Sequence, residues 1–187
     1  MKWFIASDIH GSAYYAEKMI EAYKRENADK MLLLGDILYH GPRNDLPREY
    51  GPKKVIPLLN AEKERILCVR GNCDAEVDQM VLDFPIMDDF VLVEDSNLLI
   101  FATHGHVYNE EKIPEGSFDI LLHGHTHVPV VVEHDSYIYI NPGSVSIPKE
   151  DSHHGYMIFE DGVFSWKDFD GKTVKEYKKG DYYGKQN

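Results

Sequence analysis

Apolar residues in the first part of the chain form short runs that alternate with segments of helical spacing. Three runs predict buried strands, at residues 2–6, 31–34 and 66–69. Helices are predicted through residues 16–23, about 53–60 and about 76–82. A segment rich in proline, glycine and charge, residues 39–52, is predicted to be a long loop. This part of the chain therefore predicts strands that alternate with helices.

From residue 90 onward the pattern changes to runs typical of strands. They occupy residues 90–93, 98–103, 120–122, 128–133, 137–140, 156–159 and 163–166. The last two runs flank Glu160-Asp161-Gly162, which is typical of a hairpin turn. This order predicts an α/β fold, a two-sheet β-sandwich flanked by helices. Because nothing marks a linker, we expect a single domain over residues 1–187, with a frayed tail at about 180–187.

Composition narrows the classes of function. No apolar run is long enough to span a bilayer, so we expect a soluble, cytoplasmic protein without a membrane partner. Cys68 and Cys73, the only cysteines, fit a reducing compartment. The net charge is −12, and the twelve acidic residues from Asp74 to Asp119 are accompanied by a single basic residue, Lys112. Such a block repels phosphate backbones, so stable nucleic-acid binding is not expected.

Five short polar motifs stand where predicted strands end. They are Asp8-Ile9-His10, Gly35-Asp36, Gly71-Asn72-Cys73-Asp74, His104-Gly105-His106 and Gly124-His125-Thr126-His127. The ends of strands are where α/β folds build their sites. Carboxylates, imidazoles and an amide together suit Mn, Fe, Zn, Co or Ni better than Ca. Each motif is common by itself, but the five in this order predict a metal centre.

The run from His123 to His127 is the strongest single motif. In an extended segment, alternating histidines project toward the same side, where they could bind one metal centre. A histidine at the end of a strand is more often a hydrogen-bonded structural residue than a ligand. This run alone therefore leaves both interpretations open.

The five motifs resemble those of the calcineurin-like metallophosphoesterase superfamily, whose pattern is Asp-x-His, Gly-Asp, Gly-Asn, His and Gly-His-x-His. The resemblance continues in Tyr39-His40-Gly41-Pro42-Arg43-Asn44 and in residues 141–148, which are similar to the small bacterial phosphodiesterase branch. It covers nearly the whole chain. It implies a four-layer α/β/β/α fold and a homo-oligomer, either a dimer or a tetramer.

The resemblance also implies two divalent metal ions, with manganese preferred and Fe, Ni, Zn or Co as alternatives. One ion is assigned to Asp8, His10 and His127, the other to Asn72, His104 and His125, and Asp36 is assigned to both. Two such ions about 3.5–4 Å apart can share a carboxylate and convert a bridging water into hydroxide. The implied reaction is hydrolysis of a small or exposed phosphodiester by attack of that hydroxide.

Two residues beside Asn72 receive weaker assignments. Many members of the superfamily have a histidine directly after this asparagine, but here the residue is Cys73. A catalytic role for the Cys73 thiol, alongside Asn72, and a packing role stay equally open. The superfamily pattern suggests that Asp74 orients His10 through a hydrogen bond.

Two further residues are candidates for binding substrate. Arg43 lies in the long loop and could bind phosphate, because a guanidinium matches phosphate geometry, or it could be a solvated charge. His106 could face the substrate, or it could cap its own loop.

Other functions compete with a phosphodiesterase. The superfamily includes a retromer subunit that keeps the fold but loses ligands, so a non-catalytic interaction scaffold is one alternative. The complete set of ligand residues argues against it. A phosphomonoesterase would use the same site, and the residues do not distinguish it from a diesterase. A nuclease would need a positive track for the backbone, which the acidic block does not favour.

Overall fold

The computed structural model describes residues 1–180. Its strands are β1 Trp3–Ala6, β2 Lys30–Leu33, β3 Ile66–Cys68, β4 Phe90–Asp95, β5 Leu98–Thr103, β6 Ile120–Leu122, β7 Val130–Glu133, β8 Ile138–Asn141, β9 Gly155–Glu160, β10 Val163–Asp168 and β11 Thr173–Lys178. Its α-helices are α1 Ala13–Glu26, α2 Pro52–Asn60 and α3 Glu76–Gln79, and a short 3-10 helix covers Lys63–Arg65.

The strands form two mixed sheets. The first has the order β11-β10-β9-β1-β2-β3, and the second has the order β4-β5-β6-β8-β7. Within the first sheet, β1, β2 and β3 are parallel, and β9, β10 and β11 are antiparallel to their neighbours. Within the second, β5, β6 and β8 are parallel, and antiparallel strands close both edges. The predicted fold class, α/β with two packed sheets flanked by helices, is confirmed.

Alternate residues of β1 supply two different cores. Ile5 packs in a cluster with residues of both sheets, including Leu32, Ile100 and Leu122. Phe4, its neighbour in the chain, belongs to a second cluster, whose residues from α1 are Ala16, Met19, Ile20, Ala22 and Tyr23. Because neighbouring side chains of a strand point to opposite faces, the first sheet is buried between the second sheet and the helices.

The first helix begins at a cap that also fixes the long loop. The Ser12 hydroxyl accepts a hydrogen bond from the backbone N–H of Tyr15 at 3.3 Å, which satisfies one of the free donors at the helix start. The same hydroxyl donates to the carbonyl oxygen of Arg48 at 2.6 Å. The helix ends at Glu26, and the left-handed backbone of the next residue, Asn27, is a common helix stop. The long loop is therefore attached to the start of α1, directly after the first motif.

Most predicted elements coincide with observed ones to within a residue or two, and the long loop at 39–52 holds no regular helix or strand before α2 begins at Pro52. The helix predicted at 76–82 is shorter than expected and ends at Gln79. The strand predicted from residue 128 begins only at Val130, after a proline that cannot donate to a ladder. The edge strand β11 was missed, because most of its side chains are exposed and give no burial pattern.

Two other predictions concern the ends of the fold and the membrane. Apart from Gly180, the residues predicted to form a frayed tail lie outside those described. Among the helices of residues 1–180, none combines the length and the apolar character that a membrane span needs.

Candidate metal centre

The predicted ligands all follow the carboxyl ends of parallel strands. Asp8 and His10 follow β1, Asp36 follows β2, Asn72 follows β3, His104 follows β5, and His125 and His127 follow β6. Within each sheet, parallel strands place their carboxyl ends at the same edge. The loops that follow these strands in the two sheets carry all the predicted ligands. Backbone hydrogen bonds join the first two loops, from His10 N–H to Asp36 O at 2.9 Å and from Asp8 N–H to Gly35 O at 3.1 Å.

Three side chains converge on a first point. His127 Nε2 lies 3.3 Å from Asp8 Oδ1 and 3.3 Å from His10 Nε2, and the distance from His10 Nε2 to Asp8 Oδ1 is 3.7 Å. All three residues are buried. Separations of this size are close to those expected between ligands that share a metal ion about 2.0–2.2 Å from each donor atom.

A second point lies next to the first. His104 Nε2 is 3.1 Å from Asn72 Oδ1 and 3.1 Å from His125 Nδ1. Asp36 Oδ2 lies between the two points, at 3.6 Å from His10 Nε2 and 3.5 Å from His104 Nε2. The structure therefore brings all seven predicted ligands together, with Asp36 in a position to serve both points.

The histidine rings are oriented by backbone carbonyl groups. The Nδ1 atoms of His10, His104 and His127 lie 2.9, 2.6 and 2.6 Å from the carbonyl oxygens of Tyr39, Leu34 and Ile147 respectively. A carbonyl only accepts, so each of these Nδ1 atoms donates its proton. In the neutral ring, Nε2 then presents a lone pair to the centre, which is the arrangement that fixes metal-binding histidines.

The donor set fits a cation. Asp8 Oδ1 is buried and accepts no hydrogen bond within residues 1–180. Burial opposes charge on both Asp8 and His10, yet their interaction lowers the pKa of Asp8 well below its usual value and raises that of His10. A divalent ion would satisfy the converging lone pairs and offset the charge of the carboxylates.

Five of the seven predicted ligands have a left-handed backbone. They are Asp8, His10, Asp36, His125 and His127, with φ values from 49° to 67°. This conformation is uncommon for residues other than glycine, and it clusters at functional sites. It corrects the sequence interpretation of the histidine run, because the segment is not extended. His123 instead stacks on Tyr139, with ring centroids 4.3 Å apart, and is not among the converging side chains.

Two glycines allow the loops to approach each other. A Cβ atom at Gly124 would collide with Ser7 Oγ and would lie 2.7 Å from Asp8 Oδ2. A Cβ atom at Gly71 would collide with Asp36 Oδ1. The glycines of the motifs are therefore required by close packing around the two carboxylates.

Asp74 has a role that differs from the one suggested by the sequence. It makes no hydrogen bond to His10, whose Nδ1 donates to Tyr39 instead. Its carboxylate accepts from the backbone N–H groups of Asp36 at 2.8 Å, Ile37 at 2.8 Å and Gly71 at 2.7 Å. The predicted orientation of His10 by Asp74 is wrong, and Asp74 holds the backbone on both sides of the central carboxylate.

Cys73 lies beside the centre with a neutral thiol. Its backbone N–H donates to Asp36 Oδ1 at 2.8 Å, and its Sγ accepts from Asn72 Nδ2 at 3.2 Å. Burial, followed by the nearby charge of Asp36, raises the pKa of the thiol to about 12. The thiol is therefore a weak acid.

Four of the seven predicted ligands, Asp36, Asn72, His125 and His127, line a cleft of about 720 Å³. Its walls include Arg43 and Asn44 from the long loop and Lys149 from the segment after β8. Sequence reasoning missed Asn44 and Lys149, although both lie in or beside the segments that resemble the bacterial branch.

His106 is not among the lining residues. It packs against His104 with ring centroids 5.3 Å apart, and burial, followed by the charge of His104, lowers its pKa to about 4.

Comparisons with known proteins find relatives that are similar in sequence and in fold. Phosphodiesterase YfcE of Escherichia coli strain K12 is 47% identical over 116 residues, which cover 61% of this chain and 62% of YfcE. The alignment thus spans less than two thirds of that relative. Phosphodiesterase MJ0936 of Methanocaldococcus jannaschii is 32% identical over 131 residues, which cover 66% of this chain and 71% of MJ0936.

The solved structure of YfcE, described as a phosphoesterase from E. coli, superimposes with a TM-score of 0.90 at 41% identity. The match covers 95% of this chain and 98% of that one. A family model, the calcineurin-like phosphoesterase superfamily domain, matches residues 1–161. The chain therefore belongs to the calcineurin-like phosphoesterase superfamily.

Proposed function

We propose that this chain is a phosphodiesterase that requires two divalent metal ions and hydrolyses a small or exposed phosphodiester. The observation that carries the proposal is the position of Asp36 Oδ2, 3.6 Å from His10 Nε2 in one ligand group and 3.5 Å from His104 Nε2 in the other. A shared carboxylate of this kind is what a two-metal phosphoesterase site requires. Diesters are favoured over monoesters because both relatives, YfcE and MJ0936, are named phosphodiesterases.

The proposed ligands divide between charged and neutral groups. Asp8, His10 and His127 would hold one ion, Asn72, His104 and His125 the other, and Asp36 both. Two divalent ions, when bound, would stabilise the phosphoryl oxygens and lower the pKa of water. Asn72 completes the second set without adding negative charge, so the site keeps a net attraction for an anionic substrate. We propose manganese as the first ion to test, with Fe, Ni, Zn and Co beside it.

Other residues would bind or position the substrate. Arg43 lines the cleft, where its guanidinium group can donate to a phosphate group of the substrate. Asp74 holds the backbone of Asp36 and Gly71, and therefore the spacing of the two loops, through the hydrogen bonds described above. Asn72 and Cys73 also line the cleft, so both could contact the substrate. No proton donor is assigned, because the Cys73 thiol is a weak acid.

The test measures hydrolysis of bis(para-nitrophenyl) phosphate by protein that has been stripped with a chelator and reloaded with manganese. The proposal predicts no hydrolysis by the stripped protein and release of para-nitrophenol after reloading. Elemental analysis of the same sample must show bound metal. Absence of hydrolysis from metal-loaded protein, with para-nitrophenyl phosphate tested in parallel, would refute the proposed activity.

A further inference from the structure

The cleft has a charge that contrasts with the rest of the molecule. The chain carries a net charge of −12, yet Arg43 and Lys149 both line the cleft. Of the described residues that line it, the only acidic ones are Asp36 and Asp74, which are 2% and 8% exposed. Divalent ions beside Asp36 would offset those carboxylates. The accessible walls of the cleft are therefore positive on an acidic protein.

The cation on one wall is Lys149, which lies at the start of a tight turn. Its backbone N–H donates to the carbonyl oxygen of His127 at 3.2 Å, and its own carbonyl accepts from Ser152 N–H at 3.1 Å. The two central residues of the turn, Glu150 and Asp151, have φ values of 54° and 55°, as in a type I′ turn. Of these three consecutive charged residues, only the lysine lines the cleft.

The turn that bears Arg43 shows the same selection of charge. Asn44 N–H donates to the carbonyl oxygen of Gly41 at 3.4 Å, and Asn44 Nδ2 donates to that of His40 at 2.9 Å. This turn places Arg43 and Asn44 on the cleft but not the next residue, Asp45. Within residues 1–180, neither the Arg43 nor the Lys149 side chain has an ion pair or a hydrogen-bond partner, so both are free to bind a ligand.

We infer that Arg43 and Lys149 together select substrates that carry a second phosphate group in addition to the phosphodiester that is cleaved. The inference rests on the proposed function and deepens it. The proposed ions beside Asp36, which lines the cleft, would engage the reacting phosphoryl group, and this leaves Arg43 and Lys149 for another anion. A phosphate has three oxygens, so it can accept from a guanidinium and an ammonium at once, whereas one guanidinium occupies both oxygens of a carboxylate.

The acidic surface outside the cleft limits the size of that substrate. A long nucleic acid would bring many phosphates against a chain with 32 acidic and 20 basic residues. Only an anion short enough to remain within the cleft avoids this repulsion. The substrate class is therefore a small phosphodiester whose alcohol bears one further phosphate.

The test uses two diesters with the same leaving group. Both are para-nitrophenyl esters of thymidine monophosphate, and one carries a second phosphate on the free sugar hydroxyl. With manganese-loaded wild-type protein, we expect the doubly phosphorylated compound to have a kcat/KM at least about tenfold higher, because two charge-assisted contacts are added. Lys149→Met and Arg43→Gln should each lower that ratio by about threefold to tenfold.

Matched controls remove equivalent charges elsewhere. Lys172→Met and Arg65→Gln change exposed residues that do not line the cleft, and both should keep the wild-type ratio. Equal kcat/KM values for the two diesters in the wild type, or a ratio unchanged in both Lys149→Met and Arg43→Gln, would overturn the inference.

A binding measurement separates this inference from the proposed activity. Titration calorimetry on the manganese-loaded protein compares thymidine bisphosphate with thymidine monophosphate, and it requires no turnover. Tighter binding of the bisphosphate that weakens in Lys149→Met supports the inference even if no diester is hydrolysed. Equal affinities would overturn it, whereas a failure of hydrolysis alone would refute only the proposed activity.

Discussion

Asp36→Asn is the substitution that tests most sharply whether Asp36 binds both of the proposed ions or only one. In the structure, Asp36 Oδ1 accepts the backbone N–H of Cys73 at 2.8 Å, while Oδ2 faces both ligand groups. An asparagine that keeps the contact with Cys73 must place its oxygen at the Oδ1 position. Its amide NH₂ would then occupy the Oδ2 position, where its hydrogens would face both groups of proposed ligands and it could not bind a cation.

The magnitude follows from this geometry. Removing a residue that merely supports a ligand already costs about 10–100-fold in metal affinity. Loss of a direct, charged ligand should cost at least about 100-fold for each ion, or about 2.7 kcal/mol each. Because Asp36 faces both groups, we expect both affinities to fall together. Asp8→Asn removes a ligand from the first group only, so it should retain about one ion per chain.

The assay combines elemental analysis after dialysis with calorimetric titration of manganese into stripped protein. Asp45→Asn is the matched control, because it makes the same change at an exposed residue of the long loop that does not line the cleft. Far-ultraviolet circular dichroism checks that each variant is folded. Unchanged metal content in Asp36→Asn, or loss of one ion only, would refute the shared role of this carboxylate.

Three further predictions concern the neighbourhood of the site and the stability of the fold. Cys73→Ala should keep both ions and lower kcat by less than about tenfold, because a thiol with a pKa of about 12 is a poor proton donor. Gly124→Ala should lower the free energy of unfolding by about 1–3 kcal/mol in chemical denaturation and reduce metal content, because its Cβ would lie 2.7 Å from Asp8 Oδ2. Glu26→Gln should destabilise the protein by about 1–3 kcal/mol near neutral pH, because Glu26 Oε1 and Oε2 accept from Lys167 Nζ at 2.8 and 3.0 Å.

The Glu26 prediction also has a pH dependence. Burial alone would raise the pKa of Glu26, but its interactions with Lys167, Tyr156 and Lys2 lower it below the usual value. A depressed carboxyl pKa gives stability that is present above the pKa of the unfolded chain and is lost as pH falls through the folded pKa. Urea denaturation should therefore show a wild-type advantage at neutral pH that shrinks in acid. An advantage that grows in acid would contradict this reasoning.

The predictions for Cys73→Ala and Gly124→Ala can each be contradicted by one result. If turnover by Cys73→Ala fell at least about 100-fold while both ions stayed bound, the thiol would have to act in catalysis. Wild-type stability and metal content in Gly124→Ala would show that the loops around Asp8 tolerate a side chain.

The sequence predicted the two-sheet fold and the polar residues that meet at the strand ends, because each motif follows an apolar run. The runs ending at Ala6, Leu33 and Cys68 became neighbouring parallel strands, which brought Asp8, Asp36 and Asn72 to one edge. A buried strand appears in the sequence as a run of apolar residues, so its end can be located. The polar residues that follow the run are then expected at that end of the strand. The exposed strand Thr173–Lys178 gave no such pattern and was missed.

Side-chain directions and hydrogen-bond partners could not be predicted in the same way. The left-handed backbone at His125 and His127 turns the run away from an extended path and separates them from His123. Asp74 was assigned to the wrong partner, since its three acceptor contacts are with backbone groups that no residue pattern reveals. Lys149 reaches the cleft through a turn whose geometry depends on tertiary contacts with His127.

The proposed activity requires two ions, held around Asp36, for cleavage of a phosphodiester. Its decisive test is a titration of manganese into stripped protein, with hydrolysis of bis(para-nitrophenyl) phosphate followed at each ratio of bound metal to protein. We predict that activity rises until two ions are bound per chain and is absent from the stripped protein. Full activity with one bound ion, or no activity with two, would contradict the two-ion proposal.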